Sequence, residues 1–255
     1  LSDEQKEILE LDSDNAILIK GGAGTGKSIL AIYRVKKLVE SGVTNILLTT
    51  HTEPLVDYFK QLLEELLPDS LDRLSIHVCK VDDIVKKYNE TNKSTIASEE
   101  ISHLCLQSIM RTAKLDRNIH NKVKQLDESS ILEQIKMIES RGITNLTKYE
   151  QISDIGKGES FRRDLRRAVW DIYQQWENLL QKSGYTTIEQ SRRQALDIVS
   201  DLKSKPHNAV IIDEAQDLSP TALRLLVQLV EPSGLFLTAD TSQSLYEKVF
   251  SWNFV

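Results

Sequence analysis

The sequence predicts an α/β protein: a parallel sheet flanked by helices, with an all-helical stretch set into the middle of the chain. Three observations carry that reading. An apolar run, Ala16-Ile17-Leu18-Ile19, leads into Gly21-Gly22-Ala23-Gly24-Thr25-Gly26-Lys27-Ser28 and then into an amphipathic run from Ile29, which is strand, glycine-rich loop and helix in succession. Strand patterns alternate with helical ones up to residue 88, and the same grammar returns after Lys205-Pro206. Between them, residues 89–205 read almost wholly as helix. The sheet domain is therefore expected to be discontinuous, residues 1–88 and 206–255, with residues 89–205 as an inserted helical subdomain.

Taken in order, the chain opens on a capped helix: Ser2 is the N-cap, acidic residues fill the first turn, and Gln5 stands in the capping-box position. After the strand and glycine loop, residues 28–41 form a helix whose Ile29, Ile32, Val35 and Val39 share a face, closed by Gly42. Asn45 to Thr49 is a buried strand ending in the polar cluster Thr49-Thr50-His51-Thr52. Glu53-Pro54 starts a helix that Pro68 stops. Leu74 to Val78 alternates as a strand, and Val81 to Tyr88 is a short helix. Asn89 to Ser94 is a polar linker into the helical stretch. There Phe161, Leu165, Val169, Ile172, Trp176 and Leu179 recur at helical spacing and mark a core-facing stripe. The segment from Lys157 to Arg167 carries five basic and two acidic residues, which suits either a solvated helix face or contacts to a phosphate backbone. Ala209 to Ile212 is a strand running into Asp213-Glu214-Ala215-Gln216-Asp217. Ser219-Pro220 caps a helix to about Val230, and Leu235 to Ala239 is a final strand ending at Asp240.

Bulk properties narrow the function classes. A chain of 255 residues with 40% hydrophobic and 27% charged residues can bury a core of ordinary size. No apolar run is long enough to span a membrane, and the N-terminus lacks the shape of a signal peptide. A start at Leu1 rather than Met leads us to expect an excised fragment. Cys79 and Cys105 stand too far apart for a metal or redox pair, and the five histidines are scattered, so a reducing compartment is expected and zinc is not. From these, a cytoplasmic or nucleoid-associated location is expected. A net charge of −6 excludes a generally basic coat for nucleic acid but not a local basic groove.

The chemistry lies at the carboxyl ends of the strands, where open α/β sheets bind ligands. Glycines let backbone N–H groups converge on an anion, and the helix that follows adds its own unpaired N–H groups and positive dipole end. Lys27 is then a point charge for β- and γ-phosphates, and Ser28 offers a hydroxyl to Mg²⁺. An acidic pair after a buried strand supplies the rest of a nucleotide hydrolase. Asp213 would hold Mg²⁺ directly or through water, and Glu214 would orient and deprotonate the attacking water.

With these residues in hand, a family resemblance becomes specific. Asp213-Glu214-Ala215-Gln216-Asp217 resembles the DEAQD form of motif II of superfamily 1 helicases of the UvrD/Rep/PcrA-like branch. Gly22-Ala23-Gly24-Thr25-Gly26-Lys27-Ser28 is similar to motif I, Leu1 to Gln5 to the Q motif, Leu47 to Tyr58 sits where motif Ia belongs, and Thr238 to Tyr246 resembles motif III. The resemblance implies a phosphate-loop NTPase core of the RecA-like type. Gln5 would read the adenine edge, and Gly22, Ala23, Gly24, Thr25, Gly26, Lys27, Ser28 and Gln216 would complete the nucleotide contacts. Gln243 would sense the γ-phosphate and act with Lys27 and Glu214 in catalysis, while Thr50, His51, Tyr246 and Trp252 would touch nucleic acid, the last by stacking on a base. There are departures. Thr50-His51-Thr52-Glu53-Pro54 stands for the usual T-F-T-N-K-A-A, Ala239 for a glycine, and Ser28 for the commoner Thr. Nothing matches motifs IV to VI, so the transition-state arginines are expected from a second RecA-like core, and this fragment alone is expected to hydrolyse slowly. The implied function is an ATP- and Mg²⁺-dependent helicase or translocase on single-stranded DNA or a strand–duplex junction, away from membranes. The alternatives are a nucleotide-gated nucleic-acid-binding module that does not unwind, or an RNA helicase of the same superfamily.

Overall fold

The computed structural model describes residues 2–11, 14–68, 75–90, 94–112, 127–152 and 163–240. The chain divides into two compact units, one of residues 1–88 with 195–255 and one of residues 89–194. Gln243, Tyr246, Trp252, Phe161 and Leu74 lie outside the described residues.

The first unit is built on five strands: β1 (Ile17–Gly21), β2 (Ile46–Thr50), β3 (Ile76–Lys80), β6 (Ala209–Ile212) and β7 (Leu235–Asp240). All pair in parallel, in the order β1-β7-β6-β2-β3. The third strand starts two residues later than its alternation suggests, because its pairing with β2 runs from Ile46 opposite Ile76 to Thr50 opposite Lys80. Every residue of β2, β6 and β7 is buried, as expected of parallel strands covered on both faces.

Side-chain alternation assigns the two faces. Ile46, Leu48, Ile211 and Phe236 pack with Ala31, Ile32 and Val35 of α2 (Lys27–Glu40) and with Phe59 and Leu63 of α3 (Glu53–Leu66). Leu47, Val210, Ile212 and Leu237 pack with α4 (Val81–Tyr88) and α10 (Pro220–Gln228). Ala195 and Val199 join this second cluster, so the latter part of α9 (Ile188–Ser200) packs with the sheet unit, some ten residues before the return read from the sequence at Pro206. The same alternation sets Thr50, Asp213, Thr238 and Asp240 on the α2 side of the sheet, at its carboxyl edge.

α1 (Asp3–Glu10) is held to α2 by its carbonyls. Buried Arg34 donates to Leu9 O at 3.2 Å and Leu11 O at 3.1 Å, and Lys37 donates to Leu9 O at 2.8 Å. These groups satisfy the orphan carbonyls of the helix end and complement its negative dipole end. They also fix where Gln5 lies.

The second unit holds α5 (Glu99–Thr112), α6 (Glu128–Ser140), the short α7 (Leu146–Glu150), α8 (Arg163–Lys182) and the first turns of α9. Val169, Ile172 and Trp176 of the α8 stripe are buried, together with Trp170, Tyr173 and Leu180. Two short strands, β4 (Thr95–Ile96) and β5 (Tyr185–Thr186), pair in parallel where the sequence pattern reads as linker and helix. Two residues are too few to show a period. In the basic segment, Arg166 is buried and donates to the carbonyls of Tyr149, Glu150 and Ile152, closing α7. Arg167 pairs with Glu150 at 2.7 Å. Both charges are used inside the unit.

Candidate nucleotide site

The site forms where β1, β6 and β7 end and α2 begins. Gly24 and Gly26 take φ of 76° and 80°, a region that side chains with a Cβ disfavour, and Gly26 is the N-cap of α2. A Cβ on Gly26 would stand 2.7 Å from Gln5 Nε2. The loop is braced from within, as Thr25 Oγ1 donates to Gly22 O at 2.9 Å. Gln5 is bound three times. Its Oε1 accepts from Ser2 N at 2.9 Å, its backbone N–H donates to Ser2 Oγ, and its Nε2 donates to Thr25 O at 3.0 Å. The residue read as a cap partner is thus also joined to the phosphate loop.

Lys27 is buried at the first position of α2. Its Nζ donates to Gly22 O at 2.8 Å and faces Asp240 Oδ2 at 3.6 Å, and both partners of that ion pair are nearly inaccessible to solvent. Ser28 Oγ donates to Asp213 Oδ2 at 2.8 Å. Thr238 Oγ1 donates to Asp213 Oδ1 at 2.5 Å and accepts from Glu214 N at 3.3 Å. Burial pushes the Asp213 carboxyl above the usual carboxylate range, against the pull of the Thr238 and Ser28 hydroxyls.

Glu214 follows with φ 54° and ψ 48°, a left-handed backbone that a non-glycine residue adopts at a cost of about 1–2 kcal/mol. Its Oε2 accepts from Gln216 Nε2 at 2.6 Å, and Gln216 Oε1 accepts from Asp240 N at 2.8 Å. Asp217 is pushed up by partial burial, with His51 pulling the other way.

The arrangement fits a nucleoside phosphate with a hard divalent cation. Ser28 Oγ and Asp213 Oδ2 meet across a distance that a cation bound by both oxygens would share, and oxygen donors are what Mg²⁺ takes. Among the described residues there is no cluster of three His, Cys, Asp or Glu of the kind a protein-only metal cage needs. Mg²⁺ does not need one, because it keeps waters and borrows phosphate oxygens.

The structure brings together Gln5, Gly22, Thr25, Gly26, Lys27, Ser28, Asp213, Glu214 and Gln216, and it leaves Ala23 and Gly24 exposed at the loop tip. Thr50 is fully buried on β2, whereas His51 is exposed. Two residues with direct roles here, Thr238 and Asp240, are missing from the set named by sequence. A signal exists: β7 is wholly buried, and polar Thr238 and Asp240 fall at alternate positions on the same face as Phe236. Polar groups at such positions need partners.

Comparison with known proteins agrees with this geometry. A family model described as UvrD/REP helicase N-terminal domain matches residues 1–248. No curated protein matches the chain. Among solved structures, the structure of VirB4 of Thermoanaerobacter pseudethanolicus is similar at 11% identity with a TM-score of 0.33, over 94% of this chain and 74% of that one, a likeness too slight to bear on function.

Proposed function

The chain belongs to the UvrD/REP helicase N-terminal domain family, and we propose that it is the ATP-binding half of a motor that hydrolyses Mg·ATP and moves along single-stranded DNA. Family membership gives a helicase-type, nucleotide-binding role, and the finer reading is ours. The observation that carries it is the meeting of Ser28 Oγ with Asp213 Oδ2 at 2.8 Å, beside buried Lys27 and the start of α2.

In this reading the loop glycines and the α2 N-terminus bind the phosphates through backbone N–H groups, and Lys27 draws negative charge from the β/γ bridge. Ser28 and Asp213 would hold Mg²⁺, which would neutralise charge building on the transferred phosphoryl. Glu214 accepts a proton from water at its carboxylate. Gln5, fixed between Ser2 and the loop, would read the adenine edge. Gln243, Tyr246, Trp252 and His51 complete the γ-phosphate sensor and the strand contacts. The helical unit is an inserted subdomain of the motor, and a second RecA-like core closes on the nucleotide and brings the arginines. The site is expected to work in the cytoplasm or at the nucleoid. No described helix is long and apolar enough to cross a membrane.

The test is ATP hydrolysis by the chain joined to its second core, with and without single-stranded DNA or RNA, beside Lys27→Ala and Glu214→Gln. Turnover stimulated by DNA and lost in both variants supports the motor. Nucleotide binding without stimulation by either nucleic acid contradicts it and favours a gated binding module. Stimulation by RNA alone moves the substrate to RNA.

A further inference from the structure

We propose that Gln216 is a positioning residue that holds the carboxylate of Glu214 and ties it to the end of β7, and that it is not a contact to the nucleotide; this rests on the hydrolytic reading above. Gln216 is only 5% exposed, and both ends of its amide are occupied. Nε2 donates to Glu214 Oε2 at 2.6 Å, and Oε1 accepts from Asp240 N at 2.8 Å.

The chemistry of these partners leaves one orientation of the amide. A backbone N–H only donates, so Oε1 must face Asp240. With Oε1 so placed, Nε2 faces Glu214 and donates to its carboxyl oxygen. The flipped amide would set donor against donor and acceptor against acceptor. Gln216 is therefore locked, and it fixes one oxygen of Glu214 while leaving the other for water.

Glu214 is held by β7 at both ends. Thr238 Oγ1 accepts from its backbone N–H at 3.3 Å, and the backbone of Asp240 reaches its carboxylate through Gln216. The left-handed backbone of Glu214 persists because its surroundings over-determine it. Asp240 in turn faces Lys27 Nζ at 3.6 Å. A path of direct contacts thus runs from the phosphate-loop lysine through Asp240 and Gln216 to the base. What shifts the end of β7 shifts the base with it.

The test compares Gln216→Met, which keeps the volume and removes both hydrogen bonds, with the unaltered chain, each joined to the second core that the hydrolytic reading requires. Three quantities are read: affinity for a fluorescent ATP analogue with Mg²⁺, the single-turnover rate of ATP hydrolysis, and hydrogen exchange of the Asp240 amide. We expect affinity within about twofold, a rate lower by roughly 10–100-fold as for other lost supporting contacts, and faster exchange at Asp240. Affinity lost in step with the rate would overturn the proposal, since it would mean that Gln216 touches the nucleotide. An unchanged rate or unchanged Asp240 exchange would overturn it as well. If the unaltered chain binds no nucleotide, the hydrolytic reading fails instead, and Asp240 exchange alone decides whether Gln216 holds β7.

Discussion

Thr238 shows how much one hydroxyl does at this site. It donates to one oxygen of buried Asp213 and accepts from the backbone of Glu214. Replacing it with the isosteric Val leaves fully buried Asp213 and the backbone N–H of Glu214 each short of a partner. We expect Thr238→Val to lower stability by about 2 kcal/mol, the range for a lost hydrogen bond to a buried charged group, and Thr238→Ser to recover most of it. Urea denaturation of the three proteins checks this. At this scale the sequence was legible where residue type and order carry the chemistry. Lys27, Ser28, Asp213 and Glu214 each follow a strand in a recognisable string. The alternation of Thr238 and Asp240 on one strand face signals that they need partners. Which partners they take was not legible, because it depends on which strand lies beside which: β7 is inserted between β1 and β6, an order no local pattern contains. Nor does anything in the sequence around Gln216 announce that Asp240 will lie across from it.

Among the elements, α1 and the phosphate loop act as one piece. Gln5 caps α1 and grips Thr25 O, and its side-chain amide lies against the Cα of Gly26, the N-cap of α2. Gly26→Ala therefore combines a left-handed backbone at φ 80° with a Cβ placed 2.7 Å from Gln5 Nε2. The backbone part costs about 1–2 kcal/mol, and relieving the contact pushes Gln5 off Thr25. The expected outcome is a lower melting temperature together with weaker nucleotide binding. Gln5→Ala, which clears that contact, should recover part of the lost stability in the double variant. An additive double variant would mean that the two elements are not joined. Helices with strong periodicity, such as α8, were legible, while β4 and β5 were not. The buried Arg166 also went unread, because a basic cluster looks the same whether it faces solvent or caps the carbonyls of α7.

Across the whole molecule, the two units carry buried titratable groups with opposite consequences. In the sheet unit, burial pushes His207 down to about 4, helped by His77 and Lys87 and opposed by its bond to Asn45. The unfolded chain holds that proton more tightly, so the sheet unit loses stability as pH falls from the ordinary histidine value of 6.5 towards 4. In the helical unit, burial pushes Glu139 up to about 7, against the Thr187 hydroxyl and Arg193 and with Glu189 and Glu177. There the fold holds the proton more tightly, so this contribution is full below the ordinary value of 4.5 and is lost as pH rises through 7. Segment-resolved hydrogen exchange, corrected for intrinsic rates, should show acidification from pH 6.5 to 4.5 weakening protection in β2 and β6 and strengthening it in α6 and α8. Glu139→Gln should abolish the second slope only. No local pattern marks a boundary inside α9, which is one continuous helix whose Ala195 and Val199 serve the sheet core.

Lys27, Ser28 and Asp213 are proposed to form a Mg·nucleotide site, and equilibrium binding of a fluorescent ATP analogue, with and without Mg²⁺, to the unaltered chain and to Lys27→Ala and Asp213→Asn tests it. The expected result is Mg²⁺-enhanced binding, weakened at least about tenfold by Lys27→Ala, as loss of a charge-assisted phosphate contact requires, and made insensitive to Mg²⁺ by Asp213→Asn. Binding of equal strength in all three proteins, or no Mg²⁺ effect in the unaltered chain, would contradict it.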